Sequence, residues 1–83
     1  RKRKMENIEK YKRIFMQTFE IDENKLSGLQ YQDINEWDSV GHMTLIAALE
    51  DTFDIMMDTD DIIDLSSFEK GKEILEKNYD IEF

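Results

Sequence analysis

The amino-acid sequence predicts an all-α domain: a four-helix bundle with a long loop between helices 1 and 2 and a short third helix. Proline is absent and only three glycines occur in 83 residues, so little in the chain interrupts helix formation. Apolar residues recur at intervals of three and four in separate segments, which is the spacing of one helical face. The length corresponds to one small domain.

The first helix is predicted from Met5 to Glu20, a stretch that contains one apolar face. The residues at positions 1–4 are all basic. We treat them as a basic N-terminal extension, either native or derived from a tag or from processing, and expect a single domain over residues 5–83. The apolar face consists of Ile8, Tyr11, Ile14, Phe15 and Phe19.

Residues 22–38 are polar and aperiodic, and Ser27-Gly28 interrupts them. Such a segment is typical of a long loop, held to the core by isolated apolar side chains. The anchors predicted for it are Leu26, Leu29, Ile34 and Trp37.

Asp38 and Ser39 open the second helix, which is predicted to run to about Phe53. Both residue types are good N-caps, because a short side-chain oxygen accepts from the free amides of the first turn. At about 100° per residue the helix has a core face and a second, more open side. The core face consists of Leu45, Leu49 and Phe53 with His42 and Ile46 beside them, and the open side of Val40, Met43, Ala47 and Asp51.

Residues 54–65 are predicted to form a loop with one helical turn between Asp60 and Ile63. The last helix is predicted to begin at Ser66-Ser67, where Ser66 and Glu69 fit a capping box. Gly71 lies within this predicted helix, where glycine is less favourable than alanine. Close approach of another helix would explain why glycine occurs there. The inward-facing residues predicted for this helix are Phe68, Ile74, Leu75 and Tyr79.

The charge of the chain is strongly acidic and unevenly distributed. The formal net charge is -9, and no Lys or Arg occurs between Lys25 and Lys70. Nucleic-acid binding is therefore not expected, because it requires cations against the phosphates. An acidic surface of this kind favours a basic protein partner. The acids in the window are Asp33, Glu36, Asp38, Glu50, Asp51, Asp54, Asp58, Asp60, Asp61, Asp64 and Glu69.

Composition also bears on location and redox chemistry. Cysteine is absent, so disulfides and thiolate metal sites are excluded. The longest apolar runs are far shorter than a membrane span, and no signal-peptide pattern opens the chain. We expect a cytoplasmic monomer. The lack of a linker-like tail near Phe83 favours a free-standing protein.

The stretch from Trp37 to Phe53, WDSVGHMTLIAALEDTF, resembles the core motif of acyl and peptidyl carrier proteins. In that family an Asp-Ser-Leu triplet opens the second helix and is followed by spaced aliphatic residues, an acidic pair and an aromatic residue. The order of elements from about Met5 to Tyr79 is also similar. The resemblance implies an acyl-carrier-like four-helix bundle.

The resemblance further implies that Ser39 is the attachment point of a 4'-phosphopantetheine arm taken from coenzyme A. Asp38 would cap the helix and be recognised by the phosphopantetheinyl transferase. The partners implied are this transferase and the acyl-loading and acyl-processing enzymes, with basic docking patches. A helix N-terminus favours a phosphate. The alternative at Ser39 is an ordinary N-cap residue.

Several positions of the second helix match those that the family presents to its partners. The alternative for the apolar members is that they lie at the fringe of the core. Departures from fatty-acid carriers, with Val40 for Leu and Asp58 where proline is common, favour a specialised carrier. The cargo stays open among fatty acyl, aminoacyl and small hydroxyacyl groups, in fatty-acid, polyketide or secondary-metabolite biosynthesis. The implied partner-binding residues are Val40, Met43, Ala47, Glu50 and Asp51.

Other functions have weaker support in the sequence. The main alternative is a small acidic protein-interaction or calcium-binding helical module without a prosthetic group. Asp58, Asp60 and Glu69 partly match a calcium loop, but Ile63 stands where that loop needs glycine. Ser39 and His42 lack the nucleophile-elbow sequence of a hydrolase. We therefore expect neither enzymatic activity nor a bound metal.

Overall fold

The computed structural model describes residues 2–83, and side chains from Glu6 onward. Within this range the fold is all-helical, and the predicted fold class is confirmed at that level. The four α-helices are α1 (Lys2–Phe19), α2 (Ser39–Phe53), α3 (Thr59–Asp64) and α4 (Phe68–Tyr79), with a 3-10 turn at Glu23–Lys25. An isolated antiparallel bridge joins Gln30 to Ser67, and no strand forms in the described residues.

Helix α1 begins earlier than predicted, at Lys2. Residues 2–4 therefore continue the first helix, although the sequence analysis separated them from the domain, while Arg1 lies outside the described residues. The physical reason is that Lys, Arg and Met are good helix formers, so nothing in the sequence ends the helix at Met5. The far end agrees with prediction to one residue.

The core forms between one face of each long helix and the anchors of the segment between α1 and α2. Most residues predicted to face inward are buried, whereas Ile8, Ile34, Phe53 and Tyr79 are half-buried. Met57 and Leu65, on either side of α3, also belong to the core. The buried apolar residues are Tyr11, Ile14, Phe15, Phe19, Leu26, Leu29, Trp37, Leu45, Ile46, Leu49, Met57, Leu65, Phe68, Ile74 and Leu75.

Trp37 fixes the chain directly before α2. Its side chain is fully buried. Its ring stacks on Phe19 with centroids 5.1 Å apart and meets the edge of Phe15 at 5.6 Å. Because aromatic pairs add stabilisation beyond the area that they bury, this contact ties the start of α2 to α1.

The predicted capping box of the last helix is wrong. The N-cap of α4 is Ser67, whose hydroxyl accepts from the amide of Lys70 at 2.9 Å. Glu69 instead accepts from the amide of Gly28 at 3.2 Å, and the Ser66 carbonyl accepts from the amide of Tyr31 at 2.9 Å. Both serines were competent caps, and tertiary bonds to the segment before α2 set the helix start one residue later.

The close approach predicted at Gly71 is confirmed. A Cβ at this position would collide with the hydroxyl of Tyr11 and lie 3.3 Å from the side chain of Leu65. The Tyr11 hydroxyl donates to the carbonyl of Phe68 at 2.7 Å. Gly71 thus lets α1 and α4 approach closely enough for a buried hydroxyl to find its acceptor.

Candidate functional site

Asp38 is the N-cap of α2. Its backbone is extended, and its Oδ1 atom accepts from the amide of Gly41 at 2.8 Å. Its carbonyl accepts from the amide of His42 at 2.7 Å. The sequence allowed either Asp38 or Ser39 to cap the helix, and the structure assigns the cap to the aspartate.

Ser39 is consequently the first residue of α2 and is exposed. Within the described residues its hydroxyl makes no hydrogen bond, and the amides of Ser39 and Val40 have no acceptor. A hydroxyl therefore stands beside two free amides at the positive end of a helix dipole. The ordinary N-cap interpretation of Ser39 does not hold.

Gly41 has a packing reason that the sequence analysis missed. A Cβ at this position would collide with the carbonyl oxygen of Glu36 and lie 3.4 Å from Oδ1 of Asp38. The chain before the helix folds back against its first turn, and only glycine leaves room for it. A glycine two residues after the serine is the signal that could have indicated this contact.

An apolar groove borders Ser39 between α2 and α3. Its volume is about 360 Å³, at the small end of ligand-sized pockets. The contribution of α3 and of Tyr31 was not predicted, although the pair Ile62-Ile63 within an acidic segment was a signal for it. The lining residues are Tyr31, Ser39, His42, Met43, Ile62, Ile63, Leu65 and Ser66.

His42 lines this groove, and two hydrogen bonds hold its ring in place. Its Nδ1 atom accepts from the indole N–H of Trp37 at 3.0 Å, and its Nε2 atom lies 2.7 Å from the carbonyl oxygen of Ile62. Because an indole N–H only donates and a carbonyl only accepts, both bonds form together when the proton is on Nε2. Both ring nitrogens are thus engaged away from Ser39, unlike the base of a catalytic triad.

The predicted open side of α2 is open. Val40 is 73% exposed and Met43 53%, and Ala47 and Asp51 are also exposed. The core-fringe interpretation therefore fails for Val40 and Met43. Ile63 of α3, 71% exposed, adds an apolar surface across the groove that the sequence analysis did not assign to the site.

Glu50 differs from the other predicted partner-binding residues. It is half-buried, and its Oε2 atom accepts from the amide of Met57 at 2.9 Å. This bond fixes the turn that follows α2, where Asp54 adopts a left-handed conformation with φ of 55°. Glu50 therefore has a structural task, and Asp51 carries the freely exposed charge.

The partial calcium loop is not formed. Asp58 is the N-cap of α3, so a helix occupies the middle of the segment that would have to wrap around the ion. The carboxylate of Asp61 accepts hydrogen bonds from Tyr79 and Asn78, and the carboxylate of Glu69 accepts one from the amide of Gly28. Within the described part of the chain no three His, Cys, Asp or Glu side chains are grouped to hold a metal ion.

Comparison of this chain with protein-family models, with curated proteins and with solved structures gives no match in any of the three. Among the described helices, none combines the length and the apolar character that a membrane crossing requires.

Proposed function

We propose that this protein is an acyl carrier that tethers its cargo on a 4'-phosphopantetheine arm attached to Ser39. The proposal rests on the different roles of Asp38 and Ser39 at the start of α2. Asp38 caps the helix, and the neighbouring Ser39 hydroxyl is exposed without a hydrogen bond in the described part of the chain. This geometry supports the resemblance of the Trp37–Phe53 segment to the carrier-protein motif.

The residues around Ser39 suit a phosphodiester. The free amides of Ser39 and Val40 and the helix dipole favour a negatively charged group at the attachment point. Asp38 does not compete for these amides, because its carboxylate is bonded to Gly41. On attachment the Ser39 oxygen bonds to the phosphorus of the arm while the pyrophosphate bond of coenzyme A breaks and adenosine 3',5'-bisphosphate leaves. The transferase supplies the base that removes the serine proton.

The role of the protein is tethering and presentation, without catalysis of its own. The arm would carry an acyl group as a thioester, and the tether raises the local concentration of this group at each partner's active site. Ser39 forms the attachment once and takes no part in later turnover. Asp38 holds the serine at the helix end and forms part of the surface that the transferase recognises.

The surface around the serine suits basic partner enzymes. Val40, Met43 and Ala47 present small and apolar contacts, and Asp51 adds exposed negative charge beside them. No Lys or Arg lies between Lys25 and Lys70 to offset the acids, so docking would be guided by long-range attraction. We propose a monomeric cytoplasmic carrier of a specialised pathway, within an acyl-carrier-like bundle.

The proposal is tested by intact mass after incubation with coenzyme A and a broad-specificity phosphopantetheinyl transferase. We expect the mass to rise by one phosphopantetheine. Folded protein that gains no mass with several transferases would contradict the proposal and favour an acidic interaction module without a prosthetic group. Calcium titration followed by circular dichroism would then test the ion-binding form of that alternative.

A further inference from the structure

The chain contains one tryptophan and one histidine, and the two side chains are hydrogen-bonded to each other at the start of α2. The indole N–H of Trp37 donates to Nδ1 of His42 at 3.0 Å. The two rings stack at an interplanar angle of 14°, with centroids 6.2 Å apart. Residues 38–41 lie between them in the sequence, so the contact joins the chain before the helix to the end of its first turn. We call this pair the Trp37–His42 clamp.

The Trp37 side of the clamp is fixed to the core. Its side chain is fully buried, and its ring lies against Phe15 and Phe19 of α1 with centroids 5.6 and 5.1 Å away. Its backbone is bonded as well, because its amide donates to the carbonyl of Ile34 at 3.1 Å and its carbonyl accepts from the amide of Gln32 at 3.0 Å. Trp37 is therefore a fixed point to which the first turn of α2 is attached.

The His42 side of the clamp is fixed by a second hydrogen bond. Its Nε2 atom lies 2.7 Å from the carbonyl oxygen of Ile62, and its ring meets that of Tyr31 edge-on with centroids 5.5 Å apart. A carbonyl only accepts, so Nε2 carries the proton and Nδ1 is left as the acceptor that the indole N–H requires. The bond to Ile62 thus selects the tautomer that closes the clamp, and both ring nitrogens are occupied.

The residues within the clamp are held by few hydrogen bonds of their own. The amides of Gly41 and His42 both donate to Asp38. The amides of Ser39 and Val40 and the hydroxyl of Ser39 make no hydrogen bond within the described part of the chain. Because helix ends fray, this first turn needs further support to stay ordered. The clamp supplies it, since it ties the end of the turn to a buried indole ring.

We propose that His42 is a positioning residue for the modification of Ser39 and that Trp37 holds it in that role. The clamp keeps the first turn of α2 ordered before a transferase binds, so that less conformational entropy is lost when the two proteins meet. His42 takes no part in the proton transfer, since its ring nitrogens are bonded to Trp37 and Ile62. The kinetic consequence rests on the proposed function, whereas the order of the turn is measured without a transferase.

The first test is the NMR order parameter of the backbone amides of Ser39 and Val40 in the unmodified protein. We expect values of about 0.85 in the parent, as for rigid backbone, and values that fall toward about 0.6 in His42→Phe. Leu49, in the middle of α2, should keep its parent value in the variant. Values below about 0.6 in the parent, or unchanged values in folded His42→Phe, would overturn the proposal.

The second test is the kinetics of phosphopantetheine transfer with coenzyme A at saturation. His42→Phe should raise the KM for the carrier roughly three- to tenfold at an unchanged kcat, the equivalent of about one hydrogen bond. His42→Gln keeps one acceptor and one donor and should restore most of the parent KM. An unchanged KM in His42→Phe would show a merely structural role and overturn the proposal.

The matched control is Tyr11→Phe, which loses a buried hydrogen bond between α1 and α4. It should melt at a lower temperature than the parent and keep the parent KM, which separates lost stability from lost positioning. A rise in KM equal to that of His42→Phe would overturn the proposal. A parent that gains no arm would contradict the proposed function instead, and the order parameters would still decide whether the clamp orders the turn.

Discussion

The carboxylate of Asp38 accepts a hydrogen bond from the amide of Gly41 at 2.8 Å. Because this bond caps α2, the hydroxyl of the neighbouring Ser39 is not needed for the cap. A serine that capped the helix would have its hydroxyl turned toward the backbone of the first turn. Here the aspartate fills that position, and Ser39 is exposed as the first residue of α2.

The first prediction separates the two residues by stability. Asp38→Ala should lower the free energy of unfolding by about 1 kcal/mol, because the cap bond to Gly41 is lost. Ser39→Ala should change it by less than about 0.5 kcal/mol, as expected for an exposed residue without such a bond. Urea unfolding of both variants checks this, and equal losses would contradict the assignment of the cap.

The second prediction concerns the contact of Gly71 with Tyr11. Gly71→Ala should destabilise the protein by roughly 1–3 kcal/mol through overpacking, despite the better helix propensity of alanine. In a double-mutant cycle Tyr11→Phe should relieve part of this loss, because the added Cβ collides with the Tyr11 hydroxyl. Additive effects in the cycle would show that the collision is not the cause.

The third prediction follows from the burial of Tyr11. Burial, and secondarily the charge of Glu69, raise the pKa of the Tyr11 hydroxyl well above its ordinary value. The contribution of the protonated Tyr11 hydroxyl to the free energy of unfolding is therefore complete below pH about 10, the pKa of an unfolded tyrosine. It decreases as the pH rises from there toward the folded pKa.

The measurement is the free energy of unfolding of the parent and of Tyr11→Phe between pH 8 and 11. Above pH about 10 the parent should lose up to about 1.4 kcal/mol per pH unit more than the variant. Tyr79, whose pKa is also raised by burial, is present in both proteins and cancels. Parallel curves would contradict the prediction.

The fourth prediction concerns docking charge. Asp51→Lys should leave stability within about 0.5 kcal/mol of the parent, since Asp51 is exposed, and slow transfer to or from a basic partner roughly two- to fivefold at low salt. The salt dependence of the rate should weaken as well. An unchanged salt dependence would refute electrostatic docking through this residue. Glu50→Lys is unsuitable for this test, because it breaks the bond to Met57.

Periodicity predicted the parts of the fold in which helices bury a strongly apolar face. The face from Tyr11 to Phe19 and the stripe from Leu45 to Leu49 were foreseen because their spacing matches the helical repeat. The start of α4 was missed, since Ser66 and Ser67 are equivalent caps locally. The bonds from Tyr31 to Ser66 and from Gly28 to Glu69, which join distant segments, set the boundary.

For the candidate site, the sequence indicated which residues to consider and did not indicate their contacts. The motif indicated Ser39, and the composition indicated the acidic surface, but neither assigned a separate task to each carboxylate. That Glu50 holds the turn at Met57 while Asp51 stays exposed depends on how α2 ends. The hydrogen bond between His42 and the carbonyl of Ile62 joins α2 to α3. It could not be predicted from the spacing of apolar residues, because it is a polar contact between two separate helices.

The central claim is that Ser39 alone receives the arm, and serine-resolved modification tests it most directly. Parent, Ser39→Ala and Ser66→Ala are incubated with coenzyme A and the transferase, and intact masses are compared. Ser66 is the matched control because it is also exposed and borders the same groove. We expect a gain of one phosphopantetheine in the parent and in Ser66→Ala and none in Ser39→Ala. A gain in folded Ser39→Ala, or no gain in the parent, would contradict it.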